Sequence, residues 1–206
     1  MPKSKTGQPT RERLLDAAKE AVDHQGFAAT SIDQIIAKAG VTKGTFFYHF
    51  KTKNDLARAL IERFAAADQA LLRDTMERAE RLSERPLEQL LIFVGLMIEV
   101  AEELDVAPNP GCLFATYCFE GGLFDDGTLG VIADALESWR RAVGEKLSAA
   151  ASEQPPAEPV DLDSLADMIS VLFEGAFVLA RSSDSRAVFA SQMRHYRTYL
   201  KLLFRA

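Results

Sequence analysis

Ala39-Gly40-Val41-Thr42-Lys43-Gly44-Thr45-Phe46-Phe47-Tyr48-His49-Phe50-Lys51-Thr52-Lys53-Asn54-Asp55-Leu56 is the stretch on which the fold turns. Gly40 can take the left-handed backbone that closes a helix, and Thr42, two residues on, can cap the start of the next. Ile35, Ala39, Val41, Phe46 and Phe50 have the spacing of inward positions and hold two short helices at a fixed angle. Lys43, Thr45, Tyr48 and His49 are left on the outer face of the second. Upstream, Ser31 followed by Gln34 reads as a capping box that opens the helix Gly40 closes. Before it, Thr10 can cap a first helix carrying Leu14, Leu15, Ala18, Ala21 and Val22 at helical spacing, with Gly26 as its end.

The rest of the chain continues the helical pattern. Strand-like alternation is missing, and Ala, Leu, Glu and Arg dominate. A fourth helix starts at Lys53 or Asn54 and runs to about Leu82. Pro86–Leu104 is the fifth, Asp105–Pro110 a proline-marked loop, Gly111–Gly121 the sixth helix and Thr128–Ala151 the seventh. Ser152–Pro159, with three prolines, is a solvent loop, and Leu162–Arg181 and Ser185–Phe204 are the last two helices. The expected fold is therefore all-α with about nine helices. Residues 1–9 form a polar, disordered arm, residues 10–52 a three-helix head, and residues 53–206 a larger helical domain.

Composition narrows the function. The net charge of −6 argues superficially against nucleic acid, but residues 1–53 hold nine Lys/Arg against five Asp/Glu, and the remainder fifteen against twenty-five. A basic head (+4) on an acidic body (−10) suits a protein that meets phosphate with one end. Cys112 and Cys118 are too few for a disulfide framework. His24, His49 and His195 are too scattered for a zinc site, so no metal or cofactor is expected. No eighteen-residue apolar run or signal-peptide core is present, so no membrane partner is expected and the cytoplasm is the expected compartment. No Gly-rich phosphate loop, His-Glu-x-x-His spacing or recognisable nucleophile triad suggests an enzyme, and Glu102 and Glu103 are adjacent rather than on one helix face.

The outer face of the third helix carries the chemistry. Thr42 sits at a helix N-terminus, where free N–H groups favour phosphate. Lys43 can reach phosphate or a guanine edge. Gly44 lets DNA approach the backbone, and Thr45 can bond a base or offer its methyl to thymine. Tyr48 and His49 suit phosphate, as does Lys53 at the next helix start. Together with the flanking residues from Arg11 to about Leu60, the stretch resembles the DNA-binding head of the TetR family of transcriptional regulators. The resemblance implies DNA contacts from Ser31, Thr42, Lys43, Gly44, Thr45, Phe47, Tyr48, His49 and Lys53. Ile36 stands where relatives carry a small residue, and Phe47 where many have tyrosine, so Phe47 carries over only as an apolar contact.

The same resemblance implies a homodimer, released from a palindromic double-stranded operator by a small-molecule effector. Helices four to seven would enclose the effector and the last two would join the copies. Helix eight is apolar on nearly every face, which requires cover on both sides. The expected seam uses Leu172, Gly175, Ala176, Leu179, Met193, Tyr196 and Leu200. The effector residues are expected among Phe64, Phe93, Met97, Phe114, Tyr117, Cys118, Glu120 and Trp139, each of which could equally be plain core. Glu120 could attract a cationic ligand, cap a helix, or pair with Arg140 or Arg141. As an alternative, Cys112, just after Pro110-Gly111 and near a helix start, could sense electrophiles or oxidants, against the commoner reading of a buried thiol.

Overall fold

The computed structural model describes residues 9–106, 111–182 and 187–206. All regular structure among them is helical: α1 (Thr10–Ala29), α2 (Ile32–Ala39), α3 (Lys43–His49), α4 (Lys53–Leu82), α5 (Pro86–Val106), α6 (Leu113–Phe119), α7 (Asp126–Glu153), α8 (Leu162–Ser182) and α9 (Val188–Phe204). A 3-10 turn spans Gly121–Leu123. Residues 1–8 of the expected N-terminal arm, most of the loop over Asp105–Pro110 and the expected start of the last helix at Ser185 lie outside the described residues; Asp105 itself belongs to α5. No helix of the described residues is long and apolar enough to cross a membrane.

Helix ends follow local chemistry, with informative exceptions. Ser31 and Gln34 form the full capping box, Gly40 takes φ +64°, and the Thr42 hydroxyl caps α3, as the sequence predicts. Thr10 does not cap α1, because the position before the helix is Pro9, which has no side-chain donor or acceptor to offer. Nor does α1 stop at Gly26. It kinks there, at φ 80° and ψ 168°, and makes a last turn to Ala29. The Thr30 hydroxyl ties that turn back by donating to Gly26 O at 2.7 Å. α7 begins before Thr128, because Asp125 caps it by accepting from Thr128 N at 2.7 Å.

The chain divides into two compact units, and the boundary is not at residue 53. The first contains the residues up to Ala66 together with Gly111–Ile132. In it α1 packs on α2 and α6, and α2 on α3. Leu14, Leu15, Ile35, Phe46, Leu60 and Ile61 are all buried. The first turns of α4 belong here because Leu56, Ala57 and Leu60 are buried, Tyr117 donates to Ala57 O at 3.0 Å, and Arg63 reaches back to Glu12 (3.0 Å) and Asp16 (2.8 Å) on α1. The second unit contains Ala67–Pro110 and Ala133–Ala206. Its core gathers Phe93, Val94, Ile169, Met193, Leu200 and Phe204, with α9 packed on both α5 and α8.

Candidate nucleic-acid interface

The link between α2 and α3 is three residues long and is held entirely by local bonds. Val41 N donates to Ile36 O at 3.2 Å, and the Thr42 hydroxyl accepts from Thr45 N at 3.2 Å. Phe46 is fully buried and Phe50 nearly so, their rings 5.9 Å apart. That burial orients α3, leaving Thr42, Lys43, Gly44, Phe47 and Tyr48 exposed, with Thr45 and His49 half-covered. Tyr48 is the most open of these large side chains at 79 % exposure, and it meets the His49 ring edge-on at 5.0 Å. Phe47 lies edge-on against Phe46 at 5.2 Å, which fits an apolar role and no polar one. Lys43 reaches towards Asp33 on α2 at 3.8 Å; both side chains are exposed, and such a pair holds little energy.

Two expected contact residues are occupied within the head. The Ser31 hydroxyl accepts from Gln34 N, and Gln34 in turn accepts from Ser31 N at 2.8 Å and from Gln25 Nε2 at 3.2 Å. Lys53, half-exposed, folds back over the end of α1. Its ammonium donates to Phe27 O at 2.5 Å and lies 4.1 Å from the centre of the Phe27 ring. Burial lowers its pKa below the ordinary lysine value, and the nearby Glu120 carboxylate partly offsets that shift. The orphan carbonyls at the end of α1 attract a cation, and this geometry was not visible from the sequence.

The eight expected effector residues divide between the two units. Phe64, Phe114, Tyr117, Cys118 and Glu120 belong to the first, and Phe93, Met97 and Trp139 to the second. Several are structural. Tyr117 is fully buried, stacks on Phe124 at 4.1 Å and spends its hydroxyl on Ala57 O. Glu120 pairs with neither Arg140 nor Arg141. Its Oε2 accepts from Phe27 N and Ala28 N, each at 3.0 Å. Phe64 meets Phe114 edge-on at 4.9 Å. Cys118 is exposed, whereas Cys112 is buried at the start of α6. Burial denies a solvent-borne oxidant or electrophile easy access to Cys112, which speaks against the sensing alternative.

In the second unit, Phe93 and Met97 are core, and Trp139 donates its indole N–H to Asp68 at 2.7 Å. Asp68 was missed in the sequence, although it follows Phe64 by one helical turn. Burial pushes its carboxyl pKa up, and the Trp139 hydrogen bond opposes that shift. A folded pKa above the unfolded one means that the folded state holds its proton to higher pH. The contribution of this group to stability is therefore full below the unfolded pKa and declines as pH rises through the folded one. Replacing Asp68 by Asn, which can still accept from the indole, is expected to flatten the fall in melting temperature as pH rises above the ordinary aspartate range. Thermal melts of both proteins across that range test it; an unchanged slope would refute the assignment.

The expected seam residues need the largest correction. Ala176, Met193, Tyr196 and Leu200 are buried within the single chain, Tyr196 with its hydroxyl donated to Leu165 O at 3.0 Å. They pack into the chain's own core. Gly175 and Leu179 are exposed and Leu172 is half-buried. Also exposed are Val171 and Val178 on α8 and Tyr199 and Leu202 on α9, with Leu202 71 % exposed. A side chain added at Gly175 would meet nothing within 4 Å.

Comparison with known proteins places these features among relatives. Residues 14–60 match the model for "Bacterial regulatory proteins, tetR family", and residues 86–195 the model for the "Transcriptional regulator LmrA/YxaF-like, C-terminal domain". The transcriptional regulator AcuR of Cereibacter sphaeroides is 26% identical over 175 residues, covering 82% of this chain and 75% of its own. The transcriptional repressor DhaR of a Mycobacterium species is 21% identical over 178 residues, covering 86% and 85%. A TetR transcriptional regulator structure from Chloroflexus aurantiacus superposes with a TM-score of 0.74 at 24% identity, covering 96% of this chain and 97% of that one.

Proposed function

Because the chain belongs to the TetR family of bacterial regulatory proteins, we propose that it is a homodimeric repressor that leaves a palindromic operator when a small molecule binds. The exposed face of α3 carries this reading: Lys43, Gly44, Thr45, Tyr48 and His49 project from a helix anchored by Phe46 and Phe50. Thr42 and Lys43 bring a helix start and a cation to the phosphates, while Lys43 and Thr45 can read base edges in the major groove. Ser31 and Lys53 act instead by holding α2 and the end of α1.

Two heads are needed for two half-sites about one helical turn apart. The apolar residues exposed on α8 and α9 support this reading, since a second copy would cover them. An effector binding in the larger helical part would favour a head spacing that no longer matches the operator. Selecting bound duplexes from a random pool should return a palindrome. Recovery of sequences with no common element, or salt-dependent binding to all duplexes alike, would overturn the proposal.

Gly44 separates folding from function. A Cβ there would meet only the Thr42 hydroxyl, at 3.9 Å, so internal packing does not require glycine. Gly44→Ala is expected to stabilise the protein by up to about 1 kcal/mol through helix propensity. The same substitution is expected to weaken operator binding at least about tenfold by holding DNA off the backbone, a loss of roughly 1.4 kcal/mol. Melting and fluorescence-anisotropy titration of the one variant check both signs.

A further inference from the structure

The turn that joins α1 to α2 is held by charged groups from helices outside α1–α3. Phe27 is gripped at both ends of its backbone. Its N–H donates to Glu120, from the end of α6, at 3.0 Å, and its C=O accepts from Lys53, from the start of α4, at 2.5 Å. Ala28 N–H donates to the same Glu120 oxygen at 3.0 Å. The Phe27 ring lies 5.8 Å from Tyr117 and 4.9 Å from Phe124, which themselves stack. Space for the carboxylate exists only because residue 26 is glycine: a Cβ there would stand 2.5 Å from Glu120 Oε1, and φ +80° disfavours any side chain.

The kink at Gly26 sets the direction in which the chain leaves α1, and α2 begins six residues later. Two adjacent N–H groups aimed at one carboxylate, with an ammonium beside them, form a small anion receptor. We propose that Glu120 is a positioning residue for DNA binding: lodged in this receptor, its carboxylate fixes the Gly26–Thr30 turn and through it the pose of α2 and α3. This rests on the operator-binding reading above. It assigns Glu120 no contact with DNA; the residue acts through Phe27 and Ala28.

Truncation of the glutamate leaves a receptor that matches acetate in size and complements its charge, which makes the test chemical. Glu120→Ala is expected to weaken operator binding about tenfold in chloride buffer, in line with the loss of charge-assisted bonds. In acetate buffer of equal ionic strength, the ratio of variant to wild-type Kd is expected to fall towards one. The ratio is the readout because acetate also changes the wild-type affinity. Glu120→Gln, which keeps an acceptor oxygen, is expected to fall between the two and keeps the test open should the alanine variant fold poorly. Gly26→Ala, which displaces the carboxylate, is expected to be non-additive with Glu120→Ala.

A Glu120→Ala or Glu120→Gln protein that melts lower yet binds operator like wild type would show a stabilising role only and overturn the proposal. So would a variant-to-wild-type ratio that is the same in acetate and chloride. Failure of the wild-type protein to select any operator would instead overturn the functional reading, so the two failures are distinguishable.

Discussion

Replacing Lys43, Thr45 and Tyr48 together by alanine is expected to abolish sequence-specific operator binding, with Kd rising by about three orders of magnitude. The magnitude follows from removing one cation and two base or phosphate contacts, each worth about 1–3 kcal/mol where a bidentate base contact is made. The fold should survive. Lys43 and Tyr48 are exposed, and helix orientation comes from Phe46 and Phe50, which are untouched. Thr45 does share a hydroxyl–hydroxyl bond with Thr42 at 2.8 Å, but the cap on Thr45 N is a backbone contact that alanine retains. Circular dichroism should therefore be unchanged while the anisotropy titration flattens. Operator binding within tenfold of wild type would show that another surface meets the DNA.

The second large effect concerns the outer faces of α8 and α9. The double substitution Val178→Glu and Leu202→Glu is expected to convert the proposed dimer into a single chain of 22.7 kDa. Both positions are open in the single chain, at 58 % and 71 % exposure, so the glutamates cost little within the fold. In a symmetric dimer each would enter the seam twice, burying charges without partners. Loss of the second head removes its effective concentration at the operator, a penalty of about 10²–10⁴-fold in affinity. Light scattering and titration on full and half operators test it. A double variant that keeps twice the single-chain mass would place the seam elsewhere.

The difference between what could be read in advance and what could not runs along the range of the interactions. Gly40, Thr42 and the Ser31–Gln34 box were legible because each is a backbone preference or a bond across three residues. The outer face of α3 was legible because two buried aromatics four residues apart define the inner one. The proposed seam on α8 and α9 was less legible. The spacing of Met193, Tyr196 and Leu200 along α9 does not say whether that stripe meets the chain's own core or a second copy. Packing on α5 decided between them.

Lys53 and Glu120 mark the same limit at a longer range. The sequence by itself determined an all-helical chain, a short helix presenting Lys43, Thr45 and Tyr48, and a basic head on an acidic body, because propensity, capping and charge are local properties. Only the tertiary structure decided that Lys53 turns inward, that Glu120 closes on backbone N–H groups 93 and 92 residues away, and that α6 belongs to the same compact unit as α1–α3. The physical reason is that these partners are backbone atoms, exposed by a kink at Gly26 and satisfied by whichever charged side chain the fold brings near.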